Sequence, residues 1–316
     1  MGEYIPGLVS VIIPTYKRAT MLERAIDSVL NQTYSDIELL IVNDNVKGDQ
    51  FSIELYALLD SIDDERIRLV EQDAHINGAA ARNAGIKQAK GEFLAFLDDD
   101  DYWDCHKIEH QICAFNHLDS TWGAVGCMSI HIKNNSVLFV SLPHKDGYIF
   151  NEVMQRSIGL GMGSLLMKRI AVDNKGYFDE KLMRHQDLQF FGYFCSGYKV
   201  KLLKEYLYYI DHSDASNRPS VDVIKGVKED YYASVKPLIA SMSKKEKNKF
   251  YIMHNFEIGM SEWKCGKKTL GLKKMLRVFR YPQTLVVSLE RIRKRYFGKL
   301  FKSYYLNKYK VRNTSC

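Results

Sequence analysis

The chain has 316 residues, 46% of them apolar and 26% charged, which is long enough for one large domain or two modest ones with real cores. No apolar run reaches the 18 residues of a membrane-spanning helix, and residues 1–6 lack the basic and apolar regions of a secretory signal. Residues 1–220 hold 22 Lys+Arg against 31 Asp+Glu (−9), and residues 221–316 hold 23 against 7 (+16), summing to the net +7; an acidic body with a basic tail implies an anionic partner for that tail.

The first hundred residues alternate between two periodicities. The β-branched run from Leu8 to Ile13, closed by Pro14, reads as a buried strand. Thr20-x-x-Glu23 has the form of a capping box, opening a helix with Leu22, Ala25, Ile26, Val29 and Leu30 on one face. Residues 37–42 are the next strand, 51–59 a helix and 67–70 a third strand. Residues 79–89 form a helix ended by Gly91, and 92–97 a fourth strand. Such alternation gives a mainly parallel sheet flanked by helices, whose ligands sit beyond the carboxyl ends of the strands. Those ends are Pro14-Thr15-Tyr16, Asn43-Asp44-Asn45 and Asp98 to Asp101, so three polar groups distant in sequence meet at one crevice.

Asp98 to Asp101 are the most informative of these. Four adjacent carboxylates repel one another, and a hard divalent cation with oxygen ligands relieves that repulsion. A cation there could hold a diphosphate that bare aspartates would reject. A helix N-cap with an acidic first turn accounts for one or two of the acids but not four.

Residues 105–220 are less regular. A helix is expected over 106–118, strands over 124–139 with a break at Asn134-Asn135, a helix over 187–194, and one or two strands over 199–209. The glycine-rich turn 159–164 lacks the spacing of either common phosphate loop. Residues 221–316 are helical in composition, with Lys and Arg interleaved among Leu, Met, Val, Phe and Tyr over 270–312. Helices of that type lie on anionic membranes, or form an ordinary cap with a solvated basic face; no nucleic-acid recognition motif accompanies the charge. The six cysteines (105, 113, 127, 195, 265, 316) contain no Cys-x-x-Cys pair and read as free thiols in a reducing cytoplasm.

Several of these segments resemble family 2 glycosyltransferases, which have the GT-A fold. The resemblance lies in residues 9–18, 25–34, 80–86 and 89–93, in Leu97 to Trp103 with the family's Asp-x-Asp signature, and in residues 176–180 with Gln186-Asp187. It covers roughly residues 8–215 in the family's order, and the relatives it implies assemble bacterial O-antigen, capsule or lipopolysaccharide. It implies a Rossmann-like α/β domain with a nucleotide-sugar half (1–104), an acceptor half (105–220) and a basic helical C-terminal region (221–316). It also implies an inverting transfer from a nucleotide-sugar, UDP-linked in many members, with bound Mn²⁺ or Mg²⁺, to a lipid-linked glycan at the cytoplasmic face of the membrane.

Matched residue by residue, the resemblance puts Pro14, Thr15 and Tyr16 around the nucleoside. Asp44 would accept from the base, Arg82 would reach the nucleotide, and Asp98 would contact ribose or a metal-bound water. Asp100 would ligate the metal, with His212 as a further ligand, and Asp187 would be the base. Asp99 and Asp101 would be solvated or would support the metal's ligands. Each position also has a plainer reading. Asp44 could form an Asx-turn, Arg82 a surface ion pair, Asp187 a helix N-cap, and His212 could be a solvated loop residue. Two positions depart from the family pattern: Asn43-Asp44-Asn45-Val46 replaces Asp-Asp-Gly-Ser, and Gln186 replaces the acid that usually precedes the base. The second departure admits an alternative, a nucleotide-sugar-binding subunit without catalysis; a nucleotidyltransferase would want a glycine-rich basic loop near residues 11–20, which is absent.

Overall fold

The computed structural model describes residues 4–72, 74–213, 221–282 and 284–289, with side chains in the last region from residue 226 onward. The N-terminal half runs β1 (Ile5–Thr15), α1 (Ala19–Leu30), β2 (Ile37–Asn43), α2 (Gln50–Asp60), β3 (Ile67–Glu71), α3 (Gly78–Gln88) and β4 (Gly91–Phe96). There follow β5 (Tyr102–Trp103), α4 (Lys107–Phe115), β6 (Trp122–Lys133), β7 (Ser136–Val140), α5 (Phe150–Met154), β8 (Leu165–Lys168), α6 (Arg169–Lys175), α7 (Gln186–Cys195) and β9 (Lys199–Asp211). The C-terminal region is helical: α8 (Val221–Ser234), α9 (Lys236–Ser241), α10 (Lys244–Lys264) and α11 (Lys268–Met275), continued by a 3₁₀ segment, Leu276–Arg280.

The strands form one mixed sheet in the order β3-β2-β1-β4-β8-β6-β9-β5, with β7 paired to β6. β1 is parallel to β2 and β4, and β2 to β3, as the strand–helix alternation predicts. Beyond β4 the sheet turns antiparallel through β8 to β6, and β9 then runs parallel to β6. Alternation along β1 fills both faces: Ile12 joins the layer under α3 and α7, while Val11 and Ile13 join the layer under α1 and α4. The chain reverses its order across the sheet between β1 and β4, so the loops after these neighbouring strands open one crevice. The two-residue β5 pairs antiparallel with the end of β9 and draws Asp98–Asp101 against Asp211 and His212.

Local sequence rules fail at three points. α1 begins at Ala19 behind Arg18, without a side-chain cap, so Thr20 lies inside the helix and the expected capping box does not form. Lys17 takes a left-handed φ of 59° and its N–H donates to the Asn45 side chain, which sets the helix start earlier than the capping pattern alone would. A capping box does occur at Ser243 and Glu246, opening α10. Gly91 starts β4 rather than ending α3; a Cβ there would come within 2.5 Å of the Leu8 carbonyl oxygen. The expected break at Asn134-Asn135 is a tight hairpin turn, with left-handed φ of 47° and 58°. Cys113, Cys127, Cys195 and Cys265 are free thiols, whereas Cys105 is disulfide-bonded, against the expectation for all six. Cys316 and the tail beyond residue 289 lie outside the described residues.

Candidate active site

A cleft of 590 Å³ opens at the carboxyl ends of β1, β2 and β4. Of the residues predicted from sequence, Pro14, Thr15, Tyr16, Asp44, Arg82, Asp98, Asp99, Asp100 and His212 all line it. Asp187 does not: it is exposed on the first turn of α7. Its neighbour Gln186 does reach the cleft's edge: the Gln186 Oε1 is 3.6 Å from where a Cβ on cleft-lining Gly78 would sit. Asp187 instead adds its charge to the field around Arg156 and Tyr231, on the side facing the C-terminal helices. The N-cap of α7 is His185, not Asp187.

One end of the cleft is built around Asp44. Its carboxylate accepts from Gln72 Nε2 at 2.8 Å and meets His75 Nδ1 at 3.0 Å, and its backbone N–H donates to the Thr15 carbonyl. Burial pushes its pKa up, and His75 opposes the shift. The His75 ring stacks on Tyr16 at 3.9 Å between centroids and 12° between planes. These contacts place an acceptor beside flat aromatic surfaces, a combination suited to a heterocycle with N–H donors. His75 was not anticipated, because the 72–77 segment has no periodicity and its partner lies 31 residues away.

The acidic end is more constrained. Asp99 is buried, accepts from Thr15 Oγ1 at 2.9 Å, and lies 3.4 Å from Arg18. Burial, and then the adjacent Asp100 charge, push its pKa up to about 7. Asp101 is also buried; it accepts a short hydrogen bond from Tyr208 Oη, and the Asp211 N–H at 2.9 Å. Of the two readings of Asp99 and Asp101, burial excludes the solvated one and leaves support of the metal's ligands: Thr15 and Arg18 cover Asp99, and the end of β9 covers Asp101. Asp100 pairs with Arg18 at 2.8 Å, and Asp98 with Arg82 at 2.6 Å. The Arg82 guanidinium also retains a buried Nε with no hydrogen-bond partner among the described residues. Arg18, like His75, was absent from the predicted set.

A divalent cation suits this donor set in its chemistry. Asp98 and Asp100 offer hard carboxylate oxygens, the Asp100 charge adds to the burial that raises Asp99, and His212 lies at the same wall. The ligand atoms of Asp98, Asp100 and His212 are not drawn together, however. Asp100 engages Arg18, and the His212 Nε2 lies 2.8 Å from His131 Nδ1, the two rings stacked beside Phe139. Among the described residues, the one trio of possible ligand atoms within 4.8 Å is Asp104, Cys105 and His106. Its sulfur is in a disulfide, so it is not a thiolate centre.

Residues 10–207 match the family described as "Glycosyl transferase family 2", and the chain belongs to it. An uncharacterized glycosyltransferase of Rickettsia typhi is 33% identical over 219 residues, 67% of this chain and 63% of that one. The UDP-Glc:alpha-D-GlcNAc-diphosphoundecaprenol beta-1,3-glucosyltransferase WfgD of Escherichia coli is 34% identical over 173 residues, 54% of this chain and 62% of that one. The matches thus span less than two thirds of these relatives. Among solved structures, S. aureus TarS 1–349 in complex with UDP-GlcNAc aligns with a TM-score of 0.59 at 17% identity, covering 90% of this chain and 82% of that one. Mannosyltransferase PcManGT from Pyrobaculum calidifontis, in complex with GDP-Man and Mn²⁺, aligns at 0.56 with 16% identity, covering 96% and 86%. The fold is GT-A, as expected from the sequence.

Proposed function

We propose that this family 2 glycosyltransferase moves a sugar, with inversion, from a UDP-sugar to a hydroxyl of a lipid-linked glycan in bacterial surface polysaccharide synthesis. The observation that carries the reading is the arrangement of one cleft, with an aromatic-flanked acceptor at Asp44 and a carboxylate cluster with two arginines at Asp98–Asp101. A base at the first end and a diphosphate at the second match the nucleotide part of a nucleotide-sugar. The choice of UDP and of a lipid-linked acceptor leans on WfgD, whose name states both for that protein.

Each residue then has a task. Tyr16 and His75 flank the base and Asp44 accepts its N–H, while Arg82 and Arg18 face the phosphates. Asp100, with His212, would hold Mn²⁺ or Mg²⁺, and Asp98 would contact ribose or a metal-bound water. Such a cation, when bound, offsets the charge that builds on the departing diphosphate. A positioned carboxylate must take the acceptor's proton, and Asp187 at the head of α7 is our candidate, next to the cleft's Gln186–Gly78 edge. The acceptor is presented at the cytoplasmic face of the membrane.

The test is a screen of nucleotide-sugars for thermal stabilisation and for transfer, with and without Mn²⁺. Stabilisation by a UDP-sugar that needs the metal and disappears in Asp100→Ala is the expected result. No stabilisation by any nucleotide-sugar would end the reading. Asp187→Asn should keep donor-induced stabilisation while turnover falls about 10²–10⁴-fold, the usual contribution of a general base. A smaller loss would move the base elsewhere.

A further inference from the structure

We propose that the α11 end of the C-terminal region is a membrane-docking face, which seats its exposed apolar stripe among anionic lipid headgroups. α11 packs back on α10 through a close backbone crossing: a Cβ on Gly271 would come within 2.5 Å of the Gly259 carbonyl oxygen. That crossing, with Val278 buried against Ile252 and Phe256, fixes which side of the segment faces inward. Leu272, Leu276 and Phe279, spaced i, i+4 and i+7, are left outward and are 43%, 51% and 64% exposed. Lys268, Lys273, Arg277 and Arg280 are exposed around them. Further on, Val286 and Leu289 are exposed at an i, i+3 spacing.

The charge of this face decides its partner. Residues 263–289 contain seven Lys+Arg and no Asp or Glu, and one of the seven, Lys274, is neutralised by Glu262 of α10 at 2.6 Å. Residues 290–316 hold nine Lys+Arg against one acid, so the sequence that follows supplies no anionic counterpart to this face. A second copy of the same face carries the same charge and is repelled. Nucleic acid would match the cations but has no use for exposed leucines and a phenylalanine between them. An anionic bilayer surface takes both, apolar side chains into the acyl boundary and cations against headgroups. No helix among the described residues is long and apolar enough to cross a membrane, so the contact would be peripheral. This inference stands on the α11 surface alone and does not depend on the donor assignment.

The experiment is flotation of the full chain with vesicles of phosphatidylcholine alone and of phosphatidylcholine mixed with phosphatidylglycerol. Binding to the mixed vesicles only, weakening as salt rises, is expected. Leu276→Glu with Phe279→Glu, and separately Lys268→Glu, Lys273→Glu and Arg280→Glu together, should each reduce binding at least about tenfold. Both variants should keep the parent's melting temperature and any donor-induced stabilisation. The triple charge variant alters only exposed positions, so it keeps the test decisive if the apolar variant fails to fold. Equal binding to neutral vesicles, no binding to either, or unaffected binding by the charge variant would overturn the proposal. So would capture of RNA with no vesicle binding.

Discussion

Tyr208 shows how one phenol can hold an acidic cluster in shape. The four carboxylates have different sets of partners: Asp98 meets Arg82, Asp99 Thr15 with Arg18 farther off, Asp100 Arg18, and Asp101 Tyr208. The four are therefore not interchangeable. Two face arginines across the cleft, and two are sunk where burial disfavours their charge. Tyr208 is fully packed, and a Cβ on Gly163 would come within 2.5 Å of its ring, so only glycine admits the ring there. That gives the glycine-rich turn a packing role in place of the phosphate-binding one that its spacing excluded. Tyr208→Phe keeps the ring but strips Asp101 of a donor in a buried setting. It should cost about 1–3 kcal/mol of stability, measured by urea denaturation. A loss indistinguishable from zero would mean that Asp101 is adequately served by the Asp211 N–H. The run of four acids was visible in the sequence. Its division into two roles was not, because the distinction lies in partners 16 to 107 residues away.

At the scale of elements, the N-terminal half was the readable part, for a physical reason. β1, β2 and β4 are buried on both faces and the helices pack on one, so Val11–Ile13, Leu39–Val42 and Leu94–Phe96 are continuous apolar runs. Its third helix also explains a glycine that the periodicity left unaccounted for. α3 crosses β1 so closely that a Cβ on Gly85 would lie 2.4 Å from Ile12 Cγ2 and 3.2 Å from Val42 Cγ2. Gly85→Ala gains helix propensity but must push the helix off the sheet. Overpacking of this kind costs about 1–3 kcal/mol, more than the propensity returns, and a lower melting temperature is the expected readout. Because α3 carries Arg82 and starts at cleft-lining Gly78, the same variant should also weaken donor-induced stabilisation. The second half was less readable because β8 and β5 have only four and two residues, and β6 and β9 carry bulges. Short or interrupted strands present too few alternations for a period to register. The base candidate suffered most: Gln186-Asp187 follows a left-handed His185, and that one backbone conformation sets which way the first turn of α7 faces.

At the scale of the whole molecule, the acidic body and the basic region meet along a seam of buried ionisable groups. Lys228 of α8, itself buried, donates to His254 Nδ1 at 2.8 Å and to Glu257 at 2.8 Å, and Glu257 also pairs with Arg156 at 2.5 Å. The His254 Nε2 lies 3.1 Å from the Met154 carbonyl oxygen. A lysine can only donate, so His254 is neutral with its proton on Nε2, donating to Met154. Burial, with Lys228 close by, pushes its pKa well down. His185, edge-on to Tyr231 of the same seam, is lowered to about 3, by burial first and then by Lys228 and Arg156. The sign of the pH effect follows directly. Between the usual histidine value, near 6.5, and about 3, the unfolded chain takes up a proton at His185 that the folded chain refuses. Folding stability is unaffected by this group above that window and falls as pH drops through it. His185→Asn removes the titration while tolerating the left-handed backbone, since asparagine is among the residues that adopt it most readily. The variant's melting temperature should fall less steeply than the parent's from pH 6.5 towards 4, with the two curves parallel above pH 7. Parallel curves throughout would show that His185 takes up its proton in the folded protein as readily as in water, and that the seam is open to solvent there.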